Sequence, residues 1–246
     1  MAGNLHGSLR RLIVAAACLL ATPALASGEL VVISIEGSVL GIKEGQMIAP
    51  GKQLTLPPAT TLRLLSSAGK VMTLKGPFSG ALPGAEDVRA DTTGETQDIT
   101  KLAQFLTERP KATTALGTMR SLGPSKHAQG ANDPWLIIAG QGGEQCARPP
   151  KAELWRKNAK ADETLILSSK EGISAKFTWP AGKNSLEMAR EFALDGETVQ
   201  VTLGKRKSMI TLHLLPMWLN NHFEIVNWMI KKDCRRQADQ YLSLLQ

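Results

Sequence analysis

Short apolar runs, each closed by glycine, proline or serine, dominate the first third of this 246-residue chain after its N-terminal segment. They fall at residues 30–35, 39–42, 53–56, 61–65 and 71–75. Between them stand Gly37, Gly45, Pro50 with Gly51, Pro57 with Pro58, Ser67 to Gly69, and Gly76 with Pro77. Runs this short, with turn residues at every break, leave no room for helices and predict a small all-β module. Its expected limits are residues 27–92. Leu62 and Leu64 alternate with Thr61 and Arg63, so one face of the module is expected to be buried and the other wet.

The period changes at Asp98, after which Ile99, Leu102, Ala103 and Leu106 recur at helical spacing until Pro110. Residues 111–134 are rich in Thr, Gly, Ser and Ala without periodicity, so residues 93–134 read as a helix followed by a flexible linker. Strand-like runs return at 135–139, 152–155, 164–167, 173–179, 198–203 and 209–215. Residues 135–246 are thus a second β-rich domain, and its end is helical. Leu219, Phe223, Val226 and Ile230 form one apolar stripe that Cys234, Ala238, Tyr241 and Leu245 prolong. Asp233 is a candidate cap, which leaves open whether this tail is one rod or two pieces. The expected fold class is mainly β, of the α+β kind.

At the N-terminus, Arg10 and Arg11 precede an apolar stretch at residues 12–20, then Pro23 and the small residues Ala24 and Ala26. The stretch is too short for a membrane span, which needs roughly 18 to 20 residues. Residues 1–26 read as a secretory signal cut after Ala26, which predicts a soluble periplasmic protein with no transmembrane segment. Lipidation of Cys18 is the rival reading of this leader, and a twin-arginine route lacks the usual flanking residues. Removal of the leader leaves 27 basic against 22 acidic residues, a net charge of +5, and two cysteines, Cys146 and Cys234. In an oxidising compartment an even pair predicts a structural disulfide, the alternative being two free thiols. Cys234 lies on the apolar stripe of the tail and is expected to face inward.

Several motifs invite chemical readings. Ser67 and Lys70 have the S-x-x-K spacing of penicillin-recognising enzymes, but that chemistry needs the serine at a helix start. Here the four residues separate two strands, and a hairpin turn is expected. Gly140, Gly142 and Gly143 after an apolar run suggest a dinucleotide loop, yet Gln145 stands where a third glycine belongs and a turn is expected. His127, His213 and His222 show no metal-ligand spacing, so no metal or other cofactor is expected. Lys231, Lys232, Arg235 and Arg236 cluster around Asp233, and Lys205, Arg206 and Lys207 form a second basic group in an expected hairpin turn. Either group could meet an anionic surface or an acidic partner, or be a solvated face. Nucleic acid is a poor candidate for an exported protein with only 4% aromatic residues. All five tryptophans, Trp135, Trp155, Trp179, Trp218 and Trp228, lie in the second half, where core packing is favoured over a carbohydrate groove.

Ile35 to Val39 with Gly37, Gly45 to Ile48, Gly51 to Leu54, the run from Thr60 to Leu65, and Gly69, Val71 and Leu74 carry a recurring glycine–x–x–leucine rhythm. In this rhythm, residues 32–80 resemble the periplasmic β-domain of the FecR family of envelope signalling proteins. Ala68 stands where that family usually has an aspartate. The second half, with its Trp179–Pro180 turn, its Asp195–Gly196 turn and a tryptophan-bearing helix that leads to a cysteine, resembles a group of secreted proteobacterial proteins to which no activity is attached. The FecR resemblance implies a protein-binding or sensing module. The expected function is therefore a non-catalytic envelope adaptor or sensor whose partner is another envelope protein. Its rivals are an enzyme acting on peptidoglycan or glycan through Ser67, Lys70 or the tryptophan-rich half, and a structural envelope component.

Overall fold

The computed structural model describes residues 29–82, 99–108 and 133–245. The expected leader, Asp98, Pro110, His127 and nearly all of the expected linker lie outside the described residues. The chain is mainly β, with three α-helices among the described residues.

The first unit holds β1 (Leu30–Glu36), β2 (Met47–Ile48), β3 (Gln53–Leu56), β4 (Thr61–Ser66), β5 (Val71–Lys75) and β6 (Phe78–Ala81). Four strands form an antiparallel sheet in the order β2-β1-β4-β5, and β3 pairs with β6. Strand β1 is apolar on both faces. Leu30 and Val32 pack with Leu54, Leu56, Leu62 and Leu64, whereas Val31 and Ile33 face the helices. A register shift between Val32 and Ser34 then returns Ile35 to the side of Val32.

Two expectations for this unit need correction. Residues 39–42 are a loop, because Gly37, Gly41 and Gly45 all have positive φ and turn the chain, leaving Leu40 95% exposed. The second sheet face is dry around Val31, Ile33 and Leu65, because helix α1 (Ile99–Glu108) lays Ile99, Leu102, Phe105 and Leu106 into the same cluster. Gly45 lets α1 come this close: a Cβ there would stand 2.7 Å from Thr107 Cγ2 and 2.8 Å from the Ala103 carbonyl oxygen.

The second unit contains β7 (Leu136–Ile138), β8 (Gly143–Ala147), β9 (Glu153–Trp155), β10 (Glu163–Ser169), β11 (Ser174–Trp179), β12 (Ser185–Glu187), β13 (Thr198–Leu203) and β14 (Arg206–Leu214). A five-stranded sheet runs β11-β10-β13-β14-β8, in which only the β14–β8 pair is parallel. A three-stranded sheet, β12-β9-β7, shares its core. Alternation explains the contact: Val199, Val201 and Leu203 are buried while Thr198, Gln200 and Thr202 are half-buried, and Ile137, Leu154, Trp179 and Phe192 complete the filling. Only Gly204 and Lys205 form the β13–β14 turn; Arg206 and Lys207, expected in it, already belong to β14. Arg156 is 2% exposed yet fully engaged, donating to Glu163 Oε2 at 3.0 Å and to the carbonyls of Pro180 and Lys183.

The tail is two helices, α2 (His222–Lys231) and α3 (Arg235–Leu244). Between them, Cys234 N–H donates to the Met229 carbonyl at 2.8 Å and Asp233 N–H to Ile230 at 3.1 Å, with Asp233 at φ 55°. This is a Schellman ending with aspartate in the left-handed position usually given to glycine. Asp233 therefore closes α2, and Cys234 occupies the N-cap position of α3 that was expected of Asp233. Despite the break the stripe persists: Phe223, Val226, Cys234, Ala238 and Tyr241 are all buried in one cluster with Val31, Ile33 and α1.

Residues 67–70 form the hairpin turn that was expected between β4 and β5, with Gly69 N–H donating to the Ser66 carbonyl at 2.9 Å. The turn rests on the start of α2, where Asn221 Oδ1 accepts from Glu224 N–H at 2.8 Å. Gly69 has φ 81°, and a Cβ on it would stand 2.6 Å from Asn221 Oδ1. Gly69→Ala should combine left-handed strain with a damaged helix cap and cost about 2 kcal/mol. A lowered urea midpoint at unchanged m-value will show this; an unchanged midpoint would mean that the hairpin does not bear on α2.

Candidate functional site

Strand β8 closes one end of the five-stranded sheet, so its outer edge needs hydrogen-bond partners. Its period of two turns Cys146 toward the helices and Ala147 toward the sheet core. On α3, Cys234 and Gln237 are one turn apart and meet this edge together. Cys146 and Cys234 are joined as a disulfide, with Cα atoms 6.0 Å apart. Gln237 Oε1 accepts from Cys146 N–H at 2.7 Å, and its Nε2 donates to the carbonyls of Cys146 and Pro134. The buried amide thus takes the place of a neighbouring strand. Gln145 does the same for β7, accepting from Ile138 N–H at 2.7 Å and donating to the Ile138 and Gln141 carbonyls. The chain turns at Ala139 and Gly140, as expected after the apolar run, with Gln141 N–H donating to the Ile138 carbonyl at 3.0 Å; residues 143–147 beyond the turn are a strand because β14 pairs with them in parallel.

The same periodicities assemble a second group. Arg148 follows Cys146 by two residues and Tyr241 follows Cys234 by seven, so both lie beside the disulfide on the facing sides of strand and helix. The Arg148 guanidinium sits 4.3 Å from the centre of the Trp135 ring. Trp135 meets Tyr241 edge to face at 5.8 Å, and the Tyr241 hydroxyl lies 2.9 Å from His222 Nδ1. Burial raises the Tyr241 pKa, and the nearby Arg148 charge opposes that rise. Trp135 is itself held by its N–H, which donates to Asp133 Oδ1 at 2.9 Å.

These residues line part of an open groove of about 1030 Å³. Leu215, Pro216, Met217, Ile225 and Leu244 continue its wall. Met217 is 93% exposed, Leu244 63%, and the adjacent Trp218 74%. An exposed tryptophan contradicts the expectation that all five pack in the core. Trp155 and Trp179 are buried, while Trp135 and Trp228 are half-buried against the helical cluster. Trp218 is exposed because Pro216 ends the strand run and α2 begins only at His222, leaving it on an irregular connection.

The four clustered cations do not form one open patch. Arg236 donates to Gln240 Oε1 at 2.6 Å and to the Leu136 carbonyl at 3.3 Å, and burial pushes its pKa down to about 10. Arg235 pairs with Asp233 and, across helices, with Glu108 at 3.3 Å; the Glu108 carboxyl is held low first by Gln104 and then by Arg235. Lys231 is exposed and Lys232 half-buried. Of the histidines, His213 lies on β14, as expected, with Nε2 2.6 Å from Glu144 Oε2. His222 is exposed at the start of α2, where it reaches Tyr241. Among the described residues no three His, Cys, Asp or Glu side chains converge to hold a metal, and no helix is long and apolar enough to cross a membrane. A scan against protein-family profiles finds no match, and no curated protein matches the chain significantly.

Sequence reasoning placed Cys146 and Cys234 but missed Gln237, Arg148 and Tyr241 as site residues. The signal available for Gln237 was its position one turn after Cys234. Gln237→Ala would strand one buried N–H and two carbonyls, a loss of about 2 to 4 kcal/mol. Chemical denaturation of the oxidised protein, compared with the exposed control Ser243→Ala, will read this; equal midpoints for the two variants would contradict the role given to the amide.

Proposed function

We propose that the chain is a soluble, non-catalytic periplasmic protein that docks another envelope protein, exported by a signal cut after Ala26. The open groove lined by exposed Met217 and Leu244, with exposed Trp218 next to Met217 in the chain, carries this reading, because large apolar side chains held outside a well-filled core mark a recognition surface. The FecR resemblance of residues 32–80 agrees with it, and β5, whose outer edge pairs with no strand among the described residues, offers a second contact through strand addition. The disulfide suits an oxidising compartment. The expected basic helix face has a smaller part, since Arg235 and Arg236 are occupied within the chain. The rival enzyme reading loses its best motif, because Ser67 and Lys70 sit on a hairpin turn without the helix that their chemistry needs.

A photo-reactive amino acid at position 218 should give one discrete adduct in intact cells, weakened when Leu244→Glu places a charge on the groove wall. The same group at Lys170, on the β10–β11 turn, should give none. Equal labelling at both positions, or no adduct at either, would count against docking through this face.

A further inference from the structure

We infer that the groove captures the C-terminal end of a partner polypeptide, Arg148 pairing with the terminal carboxylate while the last apolar side chains lie along Leu215, Pro216, Ile225 and Leu244. This rests on the groove being a protein-docking site and deepens that reading.

Arg148 takes part in no ion pair among the described residues. It is nonetheless held in place, 4.3 Å over Trp135 and beside the Tyr241 hydroxyl. A guanidinium positioned by an aromatic ring, with no carboxylate partner of its own, is preorganised for an anion. Tyr241 adds a second donor: when His222 Nδ1–H donates to the phenol oxygen, at 2.9 Å, the phenol proton is left for a ligand. Asp133, the carboxylate on this lining, already accepts from Trp135 N–H.

Apart from Asn220 the remaining wall is apolar, so the ligand needs an anionic head joined to an apolar body. An acyl chain binds best when enclosed on nearly all sides. This groove is open to solvent, which suits an extended peptide whose backbone keeps water on one side while alternate side chains enter the wall. Capture of a free terminus also requires no internal acidic residue in the partner.

The test uses the full oxidised protein and fluorescent degenerate peptides with apolar residues at the last three positions, prepared as the free acid, as the C-terminal amide, and as the amide with an internal glutamate. Polarisation should show the free acid binding at least about tenfold more tightly than either amide. Arg148→Gln should abolish that preference, and Tyr241→Phe should reduce it while the fold, read by circular dichroism, stays intact. Equal binding of acid and amide, with the position-218 adduct retained, would overturn carboxylate capture but leave docking standing. Binding of the internal glutamate as tightly as the free acid would overturn capture of a terminus. No binding by any pool, with dodecanoate bound in an Arg148-dependent way, would overturn the peptide in favour of a lipid. Loss of the adduct as well as peptide binding would remove both readings.

Discussion

Everything on the helical side of the molecule depends on how α3 is fastened to the edge strand β8. Two different interactions do this at adjacent points. The Cys146–Cys234 bond spans 88 residues, and the chain-entropy model assigns such a closure about 4 to 5 kcal/mol. One helical turn on, the Gln237 amide satisfies the same strand's backbone, without which an edge buried under a helix would be costly. The disulfide limits how far α3 can move, whereas the amide fixes its orientation.

From that fastening the other contacts follow in order. Docked α3 positions α2 through the turn at Asp233, and α2 in turn receives both α1 and the β4–β5 hairpin tip. Val31 and Ile33 of β1 therefore share one cluster with Cys146 and Cys234, so the two β units meet through the helices rather than through a sheet. The groove is a by-product of the same arrangement. Arg148 and Trp135 come from the sheet side and Tyr241 and Ile225 from the helices, and neither side makes the groove alone.

What could be read in advance divides along the range of the interactions. Strands such as β5 and β13, where apolar runs end in turn residues, were legible to the residue, and so was the inward face of Cys234. Residues 39–42 were misread because three left-handed glycines override a weak apolar run. Strand β8 was missed for the opposite reason: a Gly-rich, polar segment becomes a strand only because β14 lies beside it. The break at Asp233 gave no glycine to announce it. In the site, the cysteines were legible from their even number after the expected leader, whereas Gln237 and Arg148 take their roles from partners about ninety residues away.

The fastening can be tested by hydrogen exchange with mass spectrometry on the oxidised protein and on the protein after selective reduction of Cys146–Cys234. If the disulfide and the amide hold α3 as described, reduction will raise exchange together in β8, α2, α3 and the segment at Trp135, while β10, β11 and β13 keep their protection. Unchanged exchange in the helices, or loss of protection throughout the sheet in the same step, would contradict it.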